Sequence, residues 1–281
     1  MISGILSVLW LIIKIVFFTV FFVQSISFAI AYYEIANTRE RKEIPSIMEV
    51  VSTFFVELFV AFINILIFPL GYIEPDPLRE INSGKKSNPV ILVHGYFMSR
   101  ACFILLYLRM RQAGKRDIFT INLRPRTAPI EDLAHQLSEK IEEVIVLTKS
   151  DKVNIIGHSM GGIVSRYYID HMNGAKKVNK LITIGTPHNG TKMAVFGFGA
   201  NAREMIPGSG FMKALNSTPL SKEVKFYSIW STMDNLVLPQ ESSVLPEPGI
   251  NIKFYSMGHL TLLFSPRVFL KIMEILEDSS S

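Results

Sequence analysis

At 281 residues the chain is long enough for one core-forming domain and something more. Hydrophobic residues make up 49% of it and charged residues 19%, and the apolar excess is gathered before residue 73. The net charge of +5 is scattered among carboxylates with no basic run, which argues against a nucleic-acid partner; anionic lipid headgroups are a better use for it, and a solvated face with no partner is the commoner one. A single cysteine, Cys102, excludes an intrachain disulfide, a thiolate metal site or a Cys-x-x-Cys redox pair, and its apolar neighbourhood from Ala101 to Leu108 reads as buried packing.

From Ile5 to Tyr33 the chain is almost continuously apolar, long enough to cross a hydrocarbon core as a helix, with Lys14 able to snorkel and Trp10, Tyr32 and Tyr33 suited to the interface. Ala29-Ile30-Ala31 resembles a signal-peptide cleavage site, but no positive region precedes the run and the run is too long, so an anchor is the expectation. A second apolar run, Val50 to Tyr72, is expected to return across the membrane. Glu57 stands against that reading, since a carboxylate at bilayer depth costs about 2.5 to 3.5 kcal/mol, and a re-entrant or interfacial helix is the alternative. Lys14, the Arg39, Arg41 and Lys42 group and the Arg79, Lys85 and Lys86 group nearly balance, so charge assigns no side of the membrane. Residues 1–73 thus read as a membrane anchor, 74–88 as a polar, breaker-rich linker and 89–281 as the catalytic domain.

Within that domain short apolar runs alternate with helical spacing, the mark of βαβ units and a mainly parallel sheet. Strands are expected at 90–93, 118–123, 153–156, 180–184, 224–230 and 252–256, with helices over 130–146, 161–172 and 266–276. The expected fold class is therefore a compact α/β domain of about six strands flanked by helices, preceded by two transmembrane or membrane-embedded helices.

Gly157-His158-Ser159-Met160-Gly161 fits G-x-S-x-G between a strand and a helix. Such a turn strains the central serine and needs small flanking residues, which makes Ser159 the candidate nucleophile. It also sets the Met160 N–H at a helix start facing a developing oxyanion, and the strand-then-His-Gly run Ile91 to Tyr96 offers the Tyr96 N–H as the second donor. Triads of this kind run Ser, acid, His along the chain. Of His171, His188 and His259, only His259 follows a late strand, and Asp234, just past the strand ending near Trp230, is favoured as its partner over Glu241 and Glu247. His94 and His158 read as packing the loops or supporting the site from behind, His188 as structural service in a turn ahead of lining the pocket, and His135 and His171 as exposed helix residues. Residues 191–222, rich in Gly, Phe, Ala and Met, read equally as a lid or acyl-chain wall and as a capping helix completing the core.

Together these segments resemble the bacterial lipase and esterase branch of the α/β-hydrolase superfamily, including the small lipases of Bacillus and the larger ones of Pseudomonas and Burkholderia, over roughly residues 88 to 277. The resemblance implies carboxylic-ester hydrolysis through an acyl-enzyme on Ser159, with no cofactor and no metal. Larger members hold a structural calcium through aspartates near the histidine loop, and this chain has no clear counterpart. With the apolar segments, the expectation is a membrane-located serine hydrolase acting on esters or membrane lipids. An acyltransferase using the same acyl-enzyme is the alternative, and a non-catalytic scaffold would call for a broken triad.

Overall fold

The computed structural model describes residues 2–73 and 88–278, with side chains from Leu6 onward, so all of the expected linker except Asn88 lies outside the described residues. Helix α1 (Ile2–Thr38) and helix α2 (Ile47–Ile67) precede the domain. Strand β1 (Val90–Val93) leads through α3 (Ile104–Gln112) to β2 (Ile118–Ile121), and α4 (Ile130–Thr148) leads to β3 (Val153–His158). Then follow α5 (Met160–His171), β4 (Val178–Ile184), the short α6 (Ala200–Glu204), α7 (Gly210–Ser217), β5 (Lys225–Ser231), β6 (Ile250–Phe254), α8 (His259–Phe264) and α9 (Pro266–Glu277).

The six strands form one sheet in the order β2-β1-β3-β4-β5-β6, every pair parallel. Helices cover both faces, so the inner strands are apolar on both sides. Ile91, Val93, Val153 and Ile155 enter the core shared with α4 and α5, while Val90, Leu92, Ile156 and Ile182 enter the one shared with α3 and α9. Strand β6 starts and stops two residues earlier than expected. It is an edge strand, exposed at Ile250 and Asn251, and the chain turns away at Ser256, whose φ is 55°.

The two N-terminal helices are long and apolar enough to cross a membrane, and they also pack on the domain. In α1, Val20, Gln24, Ser27, Phe28, Ala31, Glu34 and Ile35 form a buried stripe at helical spacing, while Phe18, Phe22 and Ile26 face outward. Helix α2 opens with a capping box, Ser46 Oγ accepting from the Glu49 N–H and Glu49 returning to the Ser46 N–H. Edge-to-face rings, Phe17 with Phe62 and Phe28 with Phe54, zip the two helices together antiparallel.

Polar contacts then fasten this hairpin to the domain from end to end. Thr53 Oγ1 donates to Ser256 O (3.4 Å), and the Gly71 carbonyl accepts from Arg100 Nε (2.8 Å) and Asn122 Nδ2 (2.7 Å). The Arg39 guanidinium donates to Thr232 O (3.0 Å) and to Glu241 (2.8 Å), and Lys192 pairs with Glu34 (2.7 Å). Glu57, the residue that counted against a second membrane crossing, is buried and turned into the domain.

Candidate active site

Ser159 sits where β3 turns into α5, with φ 53° and ψ −125°, a strained conformation held from several sides. Its N–H donates to Ile184 O (2.9 Å), and its carbonyl accepts from Thr186 Oγ1 (2.9 Å) and the Gly162 N–H (3.0 Å). Space around the turn exists only because side chains are missing: a Cβ on Gly157 would lie 2.7 Å from Gly162 Cα, one on Gly95 2.9 Å from Ser159 Cβ, and one on Gly161 directly against Val93 O. From Val153 to Arg166 every residue is buried except Ser159. Because the obstacle at Gly161 is backbone at the end of β1 and cannot swing aside, Gly161→Ala is expected to destabilise the fold by about 3 kcal/mol, read as a lowered thermal or denaturant midpoint.

His259 opens α8, and its Nδ1 lies 2.8 Å from Asp234 Oδ2. The other carboxylate oxygen of Asp234 accepts from the N–H groups of Leu236 (2.8 Å) and Val237 (2.9 Å), which fixes the group's orientation. Gly185, at φ 54°, lets the chain pass beside the pair; a Cβ there would stand 3.1 Å from Asp234 Oδ2. Burial disfavours the charged imidazole, but the Asp234 carboxylate with its hydrogen bond, and behind it Glu57, outweigh burial and hold the His259 pKa above its usual 6.5.

Ser159 and His259 line one mostly apolar cavity of about 500 Å³. Among the described residues the Ser159 hydroxyl has no hydrogen-bond partner. The Tyr96 and Met160 N–H groups likewise have no acceptor among the described residues. Two of the remaining histidines have work elsewhere. His94 Nε2 accepts from the Leu123 N–H (3.0 Å) and its Nδ1 meets Gly95 O (2.9 Å), so a neutral ring braces the loop that carries Tyr96, and burial lowers its pKa to about 4. His188 is fully buried against Thr183 Oγ1.

The cavity wall is where sequence reasoning fell short. Seven of its lining residues, Thr19, Val20, Val23, Gln24, Ala61, Asn64 and Ile65, come from α1 and α2. Residues 191–222 divide in two. Met212, Leu215 and Leu220 are buried in the core and Arg166 grips Asn216 and Leu215 O, whereas Phe196 and Phe198 are exposed, with Phe198 tied by its backbone to the Tyr96 hydroxyl. Asn235 was also missed: its Oδ1 accepts from the His259 N–H (3.1 Å), while its Nδ2 donates to Gln24 Oε1 (2.9 Å) and Ser27 Oγ (2.8 Å) on α1.

Comparison with known proteins agrees with this architecture. The family model described as "PGAP1-like alpha/beta domain" matches residues 108–268. A triacylglycerol lipase from Pseudarthrobacter phenanthrenivorans is 43% identical over 61 residues, 22% of this chain and 18% of that protein. One from Burkholderia plantarii is 43% identical over 61 residues, 22% of this chain and 16% of its own length. The chain thus aligns with less than a fifth of either relative. Among solved structures, a Bacillus licheniformis lipase in mature form superposes with a TM-score of 0.60 at 20% identity, covering 73% of this chain and 94% of that one. Aspergillus fumigatus lipase B gives 0.62 at 18% identity, covering 70% of this chain and 54% of its own. At such identities these two likenesses speak to the fold alone. The all-parallel sheet, the strand-to-helix turn at its centre and the family match over more than half of the sequence make this chain a member of the PGAP1-like α/β domain family, an α/β-hydrolase of the lipase and esterase kind.

Proposed function

We propose that the chain is a membrane-anchored serine hydrolase of carboxylic esters, with Ser159 as nucleophile, His259 as base and Asp234 as the partner that fixes the histidine tautomer. The observation that carries this reading is a hydrogen-bonded His259–Asp234 pair and a strained serine meeting in one largely apolar cavity. As Ser159 Oγ attacks the ester carbonyl, His259 Nε2 takes its proton, and the carbonyl oxygen becomes an oxyanion facing the N–H groups of Met160 and Tyr96. Collapse of the intermediate expels the alcohol, which receives that proton, and leaves the acyl group on Ser159. Water then attacks with His259 again as base, releasing the carboxylic acid and restoring the serine.

The membrane part of the proposal rests on shape and surface. Helix α1 has 37 residues, about 55 Å of helix against roughly 30 Å of hydrocarbon, and it exposes Leu9, Leu11, Ile15, Phe18 and Phe22. In this reading the first part of α1 enters the bilayer and α2 lies between lipid and domain, its Phe55 and Phe59 outward, so that the cavity wall is the membrane element itself. Exposed Phe196 completes the cover from the domain side.

The test is a series of nitrophenyl esters of rising chain length, given to the full chain in detergent and in vesicles, alongside a fluorophosphonate probe. Probe labelling with a profile rising toward long acyl chains, in protein that resists alkaline extraction from membranes, is the expected outcome. Absence of labelling would sink the serine mechanism, and a maximum on acetyl or butyryl esters would sink the lipid-facing substrate.

A further inference from the structure

A carboxylate in the middle of an apolar helix is costly unless something holds it, and Glu57 is held by the segment that carries the proposed base. Its Oε1 accepts from the Leu260 N–H (2.7 Å), and its Oε2 accepts from the Thr261 N–H (2.8 Å) and Thr261 Oγ1 (2.6 Å). Three donors converging on two oxygens is the pattern of an ionised carboxylate, which accepts at both oxygens and donates at neither. The approach is close: a Cβ on Gly258 would stand 2.5 Å from Glu57 Cδ, so a side chain at residue 258 would push the carboxylate out of place. Leu260 and Thr261 directly follow His259, whose own N–H is taken by Asn235, and Asn235 is in turn bonded to Gln24 and Ser27 of α1. The backbone on both sides of the base is therefore fastened to the N-terminal hairpin.

We infer that Glu57 is a positioning residue for the proposed base, clamping the start of α8 so that the His259 ring stays aligned between Asp234 and Ser159. The hairpin then takes part in turnover as well as anchoring, because one of its side chains sets where the imidazole stands. This rests on the assignment of Ser159 and His259 above. Two contributions are separable. One is geometric, since misplacing a reacting group by about 1 Å costs on the order of 100-fold in rate. The other is electrostatic: the titratable groups facing His259 are Asp234 from the loop after β5, Glu57 from α2 and His158 from the end of β3, whose ring lies 4.7 Å away and is kept neutral by burial. Of these, Asp234 and Glu57 are the anions that favour imidazolium.

The base acts only when neutral, so with its pKa above 6.5 the rate should fall as pH is lowered through a midpoint above that value. In Glu57→Gln the amide NH₂ meets backbone donors and the charge is gone. Full-length protein carrying this change is expected to lose about 10- to 100-fold in kcat, with KM on a nitrophenyl ester within about threefold, and its acidic limb should move to lower pH. Glu57→Asp, which keeps the charge, should leave the limb in place and recover part of the rate. Thr261→Val, which removes one donor without changing shape, should lower kcat in the same direction by a smaller factor, and it decides the matter if Glu57→Gln does not fold. Wild-type kcat in folded Glu57→Gln, or a rate loss with an unmoved acidic limb, would overturn the inference. Ser159→Ala, assayed in parallel, separates the two levels: if it is inactive while Glu57→Gln is normal, only the positioning role falls. If Ser159→Ala remains active, the assignment of nucleophile and base falls, and this inference with it.

Discussion

Ser159→Ala should reduce ester hydrolysis by about 10⁴-fold or more and abolish fluorophosphonate labelling, while the protein stays folded. The size of the effect follows from the absence of a substitute: between Val153 and Arg166 Ser159 alone is not buried, and neighbouring Thr186 spends its hydroxyl on the Ser159 carbonyl. Preservation of the fold follows from how the turn is built. Its strained backbone is held by the Ser159 N–H on Ile184 O and by donors to the Ser159 carbonyl, and the serine hydroxyl takes no part. Loss of the hydroxyl should shift stability by less than about 1 kcal/mol. Parallel measurements of turnover, labelling and thermal unfolding check this, and hydrolysis within tenfold of wild type would remove Ser159 from the mechanism.

Asp234→Asn is expected to cost about 10³- to 10⁴-fold. One oxygen of Asp234 already accepts two backbone N–H groups, from Leu236 and Val237. An asparagine would keep its carbonyl oxygen there and turn its NH₂ toward His259 Nδ1. Nδ1 would then have to act as acceptor, which puts the ring hydrogen on Nε2 and leaves no lone pair to take the serine proton. Glu241, a competing acid by sequence position, pairs with Arg39 instead. Glu241→Gln should therefore change turnover by less than about threefold. If the two variants were equally impaired, the acid would have been misassigned.

Much of this was legible because the chemistry demands local patterns. A nucleophile on a strand-to-helix turn needs glycines at fixed offsets, and strands covered on both faces read as short apolar runs, so Val90–Val93 and Val153–His158 stood out. Strand β6 does alternate, Ile250, Ile252 and Phe254 against Asn251 and Lys253, but Tyr255 prolongs the apolar pattern toward the turn at Ser256, so its bounds could not be read from the pattern alone. The short helices α6, α7 and α8 were unreadable for a related reason: each is shorter than the window over which helical spacing shows itself. The cavity wall and the clamp on the base were hidden by distance. Glu57 bonds to a residue 203 positions away and Asn235 to one 211 positions away, pairings that no local pattern encodes. Glu57 was nevertheless visible as an anomaly, a lone carboxylate in an apolar run, and its explanation lay in the fold.

The hairpin's fastening also bears on how this chain can change over evolutionary time. An anchor joined only by a linker can be exchanged for any other apolar stretch, but here Gln24 and Ser27 answer to Asn235, Glu34 to Lys192, and Glu57 to the bare Gly258 and the hydroxyl of Thr261. Substitutions at these positions should be inherited in matched sets, and a descendant that discarded its first 73 residues would have to rebuild its histidine loop as well.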